Sequence, residues 1–311
     1  MAGVAPLDLG CGCGRYARHG GIPGGGVVHT GFPRVQCGNQ AGAVRVARFG
    51  PPAMDNSPAW DAAMARVPTT TTTEIQRRDT GHIDASMRPK AEDYQRFIHL
   101  VDCFRDTGWN AAEMYRRSPF RVADIGTNAI LLRAERDLLF LAESFGTEAE
   151  RREINDRIAR MASAQDTLWD AQKGIYVCRD LSTGTTMDVA TSAGFLPLYA
   201  NITTHAETLA ATLTLWLEHA RWLIPSTDPR DHRFEPKRYW RGPIWAVVNW
   251  MISDGFENAD MKPAADLIRK QTRALIDSVG LYEYFDPTTG AGLGGTNFSW
   301  TAAIRLIMAE H

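Results

Sequence analysis

Between Glu92 and Thr107, Tyr94, Phe97, Ile98, Val101 and Phe104 recur three or four positions apart, which places them on one stripe of an amphipathic α-helix. The same period continues down the chain. It predicts a long helix over 122–145 that stops at Gly146, and a second from Thr147 to Trp169, with Thr147 as the N-cap and Glu148 and Glu150 in the first turn. Further helices are predicted over 205–223, 243–254, 262–279 and 298–310. One strand-like piece, 174–179, ends at Ser182-Thr183-Gly184 and reads as a surface hairpin. Helix following helix, joined by loops rich in Gly, Pro and aromatics, predicts an all-α fold of hairpins packed side by side, a pattern that an α-toroid satisfies.

Residues 1–50 break this pattern. No window there holds apolar residues at helical spacing, 13 of the chain's 27 glycines lie in it, and Asp8 is its only acidic residue. The expectation is a Gly-rich segment, poorly ordered or foreign to the domain, followed by one domain over 51–311. Within it, Leu7-Asp8-Leu9-Gly10-Cys11-Gly12-Cys13-Gly14 resembles the cofactor loop of S-adenosylmethionine-dependent methyltransferases. A nucleotide site of that kind needs an acidic residue about 20 positions on, after a strand and a helix. Between Asp8 and Asp55 there is neither Asp nor Glu.

Charge and composition narrow the function classes. With 34 basic and 36 acidic residues, a net charge of −2 and no long run of either sign, nothing points to nucleic acid or an anionic membrane as partner. No apolar stretch reaches the roughly 18 residues that span a bilayer, and the first 30 residues hold no apolar signal core, so a cytoplasmic protein is expected. Five cysteines, three of them Cys11, Cys13 and Cys37, argue against a disulfide framework. Cys103 and Cys178 read as buried thiols. The bare C-x-C has no second ligand pair, and His82, His205 and His232 are scattered, so no metal and no cofactor are expected. Several loops carry Trp, Tyr and carboxylates, and nine tryptophans supply the aromatic faces on which sugar rings stack.

Three segments carry the most specific signal: Met54-Asp55-Asn56-Ser57-Pro58-Ala59-Trp60-Asp61; Arg238-Tyr239-Trp240-Arg241-Gly242-Pro243-Ile244-Trp245, running on to Asn249-Trp250; and Tyr282-Glu283-Tyr284-Phe285-Asp286-Pro287 with Gly290, Gly292, Gly294, Gly295 and Phe298-Ser299-Trp300-Thr301-Ala302. Their order, with Asp79-Thr80-Gly81-His82-Ile83-Asp84-Ala85-Ser86-Met87-Arg88-Pro89 between the first two, resembles glycoside hydrolase family 63, particularly its mannosylglycerate hydrolase-like branch, and more distantly the trehalases. The resemblance runs from Met54 to the C-terminus. It implies an (α/α)6 toroid, here incomplete at its N-terminal side, and hydrolysis of an α-glycosidic bond in a small glucoside or mannoside with inversion. It also implies Asp55 as the acid, Glu283 as the base, and Tyr239, Trp240 and Trp245 facing the sugar.

Taken by themselves the residues leave alternatives. Asp55 before Asn56-Ser57-Pro58 is equally a helix N-cap or turn former. Glu283 among Tyr282, Tyr284 and Phe285 is partly desolvated, which suits an acid better than a base. Trp240 and Trp245 straddle Gly242-Pro243 at a helix start, so they are expected to flank a cleft. Arg241 reads either as a carboxylate-binding group or as a buried loop lock bonded to backbone carbonyls. Ahead of Met-Asp, family members typically carry Trp-Glu-Ser-Gly where this chain has Gly50-Pro51-Pro52-Ala53. The other classes considered are a non-catalytic sugar-binding remnant and the methyltransferase; oligomeric state is open.

Overall fold

The computed structural model describes residues 35–38, 44–48, 54–71, 77, 80, 81 and 83–309. The motif from Leu7 to Gly14, and with it Asp79 and His82, lies outside these residues. Nine α-helices are described: α1 (Asp61–Met64), α2 (Ala91–Asp106), α3 (Ala111–Arg117), α4 (Ile125–Phe145), α5 (Glu148–Asp166), α6 (Ala206–Leu217), α7 (Ala246–Asn258), α8 (Lys262–Val279) and α9 (Ser299–Ile307). None is long and apolar enough to cross a membrane.

The stripe on α2 buries Phe97 and Phe104, with Leu100 between them, while Ile98 is only half-buried. Asp124 starts α4 by accepting from the Gly126 N–H at 3.0 Å and the Thr127 hydroxyl at 2.6 Å. That cap sets the helix three residues later than predicted, because β3 (Val122–Ala123) pairs antiparallel with β6 (Arg179–Asp180). Across Gly146, Thr147 and Glu150 form the reciprocal capping box of α5, with the Thr147 N–H donating to Glu150 at 2.8 Å. The same bonds hold the Glu150 carboxyl below its ordinary value. α4 and α5 then run back to back, clamped by Arg157, which donates to both oxygens of the buried Glu135. A second hairpin, α7 with α8, is tied by the Arg269–Glu257 pair.

Differences from the predicted elements have local causes. The helix over 205–223 ends at Leu217 because the chain beyond it bonds elsewhere: the Trp222 N–H donates to the Pro287 carbonyl at 3.0 Å and the Leu223 N–H to Gln271 at 2.8 Å. The helix expected from 243 begins at Ala246, since Ile244 bridges to Phe285 in both directions, at 2.8 and 3.0 Å. The piece at 174–179 is not on the surface. β5 (Ile175–Tyr176) pairs with β4 (Trp169–Asp170), and Ile175 and Tyr176 are fully buried. A Cβ at Gly194 would lie 2.3 Å from the Tyr176 carbonyl, so glycine is what lets the two segments close. Of the two thiols expected to be buried, Cys178 is and Cys103 is half-exposed. Burial pushes the Cys178 thiol well above its ordinary value.

β1 (Val35–Gly38) and β2 (Val44–Arg48) pair antiparallel, and β2 continues onto β3, giving a four-stranded sheet in the order β1-β2-β3-β6. β7 (Tyr282–Phe285) and β8 (Gly292–Thr296) form a separate hairpin. Its turn is closed by Asp286, which accepts from the N–H and hydroxyl of Thr288 at 2.8 and 2.6 Å.

Candidate active site

Four loop segments converge between the helices. The Ser57 N–H donates to the Met54 carbonyl at 2.7 Å, which puts Asp55 within a tight turn, and the Trp60 indole donates to the same carbonyl at 3.2 Å. The cap of the following helical turn is Ser57, not Asp55. The 238–241 loop is held against this turn: the Trp240 N–H donates to the Asn56 side chain at 3.0 Å and Arg241 donates to the Asn56 carbonyl at 3.2 Å. Asp55 is half-buried and lines a cavity of about 250 Å³ together with Asn56, Lys90, Arg238 and Arg241.

Glu283 does not line that cavity; it lies on β7. The β7–β8 register pairs Tyr282 with Thr296 and Tyr284 with Leu293, and the irregularity between them falls at Glu283. Such a bulge re-aims one side chain out of the alternating pattern. The Glu283 carboxylate receives Arg88 on both oxygens, Nη2 to Oε2 at 2.8 Å and Nη1 to Oε1 at 3.3 Å, and Oε2 also accepts from the Gly295 N–H at 3.1 Å. Neighbouring Gly294 has φ +74°, and a Cβ there would lie 2.6 Å from Oε2. The desolvation expected for Glu283 is therefore met by a guanidinium and a backbone donor. Arg88 is the functional candidate that sequence reasoning did not single out: it lies inside a segment used for the resemblance, but nothing in its spacing sets it apart.

Tyr239 packs beside the Glu283–Arg88 pair, against Tyr284 and under the Arg88 guanidinium. Burial raises the pKa of its hydroxyl, and the charges of Asp55 and Glu283 raise it further, so both carboxylates act on one phenol. Tyr239 has φ 42°, a left-handed conformation costly for a bulky residue, and it is held there by packing. Its ring meets Trp245 edge-on at 5.3 Å and Tyr284 at 5.6 Å, and its carbonyl accepts from the Trp245 indole at 3.2 Å. The Arg88 guanidinium lies 4.6 Å above the same ring. Burial likewise moves the Tyr284 hydroxyl up to about 12.

Trp240 and Trp245 do not flank a cleft. Their rings stack on one another, 4.0 Å apart and 2° from parallel, because the turn through Gly242-Pro243 folds one tryptophan back over the other. Nothing fits between them. Trp245 is 5% exposed and its ring also packs tilted against Tyr284 at 5.1 Å, whereas Trp240 is half-buried. Arg241 is bonded within the protein, to both oxygens of Asp61 at 2.9 and 3.0 Å, to Glu235, and to the Asn56 carbonyl.

Helical hairpins packed side by side, α4 with α5 and α7 with α8, with loops from distant parts of the chain gathered between them, are the architecture of an all-α toroid. The chain belongs to the mannosylglycerate hydrolase MGH1-like glycoside hydrolase family, whose model matches residues 28–301. It is 44% identical over 280 residues to mannosylglycerate hydrolase MGH1 of Selaginella moellendorffii, covering 89% of this chain and 57% of that protein. It is also 44% identical over 256 residues to a mannosylglycerate hydrolase of Thermus thermophilus, covering 81% and 61%. A crystal structure of the family 63 mannosylglycerate hydrolase from Thermus thermophilus, in complex with Tris and D-glycerate, superposes with a TM-score of 0.83 at 42% identity, covering 88% of this chain and 66% of that one. The chain thus spans about 57% of the length of the first of these relatives. The family model begins at residue 28, after the glycine motif and ahead of the composition break at residue 50.

Proposed function

We propose that the chain hydrolyses the α-glycosidic bond of a small mannoside or glucoside, of the mannosylglycerate or glucosylglycerate type, with inversion at the anomeric carbon. Asp55 donates its proton to the glycosidic oxygen as the bond to the anomeric carbon breaks. Glu283 takes a proton from the water that attacks the opposite face, so one carboxyl is deprotonated and the other protonated in each turnover. The observation that carries this reading is the Glu283 carboxylate held at the β7 bulge by Arg88 and the Gly295 N–H, in a chain whose residues 28–301 match a glycoside hydrolase family. Inversion requires the two carboxyls to stand on either side of the sugar, roughly 6.5–9.5 Å apart. Tyr239 and the outer face of Trp240 supply the sugar-facing wall, and Trp245 backs it.

The length relation to the relatives favours one second reading, a sugar-binding chain without turnover. Mutation separates the two. In the 311-residue chain, Asp55→Asn and Glu283→Gln are each expected to lower turnover of α-mannosylglycerate by at least about 100-fold with binding retained. Near-normal turnover in either variant removes that residue from its role, and binding without turnover in the unaltered chain leaves the second reading.

A further inference from the structure

The mechanism asks Glu283 to take a proton with one oxygen, and its two oxygens are not equivalent. Oε2 is occupied by two donors, Arg88 Nη2 at 2.8 Å and the Gly295 N–H at 3.1 Å. A carboxylate oxygen has two lone-pair directions, so Oε2 is filled. Among the described residues, Oε1 receives only the longer Arg88 contact, 3.3 Å. We propose that Arg88 is the positioning residue of the base: it fixes the Glu283 carboxylate by Oε2 and leaves Oε1 as the oxygen that accepts the proton from water.

Arg88 is itself held in place. Its side chain is 10% exposed, against 11% for Glu283, so the pair is shielded from solvent. Its guanidinium lies over the Tyr239 ring, with Tyr284 at 5.9 Å on a second side. The loop behind it is braced twice, by Asp84 accepting from the Ser86 N–H at 2.9 Å and by the Tyr284 hydroxyl donating to the Met87 carbonyl at 3.4 Å. Burial works against the Arg88 charge, but the bonds and charge of Glu283 outweigh it and the Arg88 pKa rises. A planar fork orients a carboxylate as well as neutralising it, which a lysine at the same place does less well.

This role rests on the reading of Glu283 as the base, and the test keeps the two apart. Steady-state kinetics on α-mannosylglycerate are compared for the unaltered chain, Arg88→Ala, Arg88→Lys and Glu283→Gln, with circular dichroism as the check on folding. Arg88→Ala is expected to lower kcat by about 100-fold, the cost of misplacing a catalytic group by about 1 Å, with KM changed less than about threefold. Arg88→Lys is expected to fall between, and added guanidinium to restore part of the Arg88→Ala loss. If Arg88→Ala fails to fold, the lysine variant carries the test: reduced kcat at unchanged KM supports the role, and wild-type kcat overturns it. A loss confined to KM makes Arg88 a substrate-binding group and overturns the role as well. Loss of turnover in Glu283→Gln with normal kcat in both Arg88 variants removes the role and keeps the base. Normal turnover in Glu283→Gln, or none in the unaltered chain, removes the base reading and Arg88's role with it.

Discussion

Trp240 and Trp245 show how far residue types alone carry. The resemblance picks out both, and the aromatic-sugar argument treats them alike, but a turn between them decides their fates separately. One ring of the stack is nearly enclosed by Trp240, Tyr239 and Tyr284, and the other keeps a half-buried outer face. Trp245→Ala is therefore expected to destabilise the fold by about 3–5 kcal/mol in urea unfolding, the range for deleting a buried aromatic. Trp240→Ala is expected to raise KM while costing much less stability. Unchanged stability in Trp245→Ala would return that ring to the sugar-binding wall. At this scale Asp55, Glu283 and Tyr239 stand out in the sequence as candidates because they sit in distinctive strings. Arg88 does not, since its importance comes from a partner at the far end of the chain.

At the scale of elements, periodicity settled what it could reach. α8 spans the residues predicted for it, closed by Gly280 at φ 102°, and α5 starts on its predicted cap. The missed pieces are short. α3 has seven residues, too few to show a period, and is set by Asn110 accepting from the Glu113 N–H at 3.1 Å. The β7–β8 hairpin was read only as a motif string, because the glycines that let the backbone approach Glu283 weaken any strand pattern. The segment ahead of residue 50 was read by composition, yet β2 pairs through Ala47 with Ala123 and through Arg48 with Val122. We propose that the domain includes residues 28–50. Deleting 1–27 is expected to leave the melting temperature unchanged, and deleting 1–50 to lower it by stripping the ladder from one side of β3. Equal melting temperatures for both deletions would support the composition boundary instead.

Across the whole molecule, the hairpins serve to bring distant loops together. The turn at Asp55 and the bulge at Glu283 share no local sequence; the ladder between Ile244 and Phe285 and the contacts of Asn56 with residues 240–241 hold both segments against one loop. α9 buries Thr301 and Ile304 on one side and exposes Trp300 and Leu306, at 60% and 72%, on the other. In the proposed reaction the two carboxylates fix both the substrate's place and the direction of attack. The most direct test is proton NMR of the sugar first released from α-mannosylglycerate, recorded before the anomers equilibrate. The account predicts β-mannose as the initial product, formed by water activated at Glu283 on the face opposite Asp55; initial release of α-mannose would contradict it.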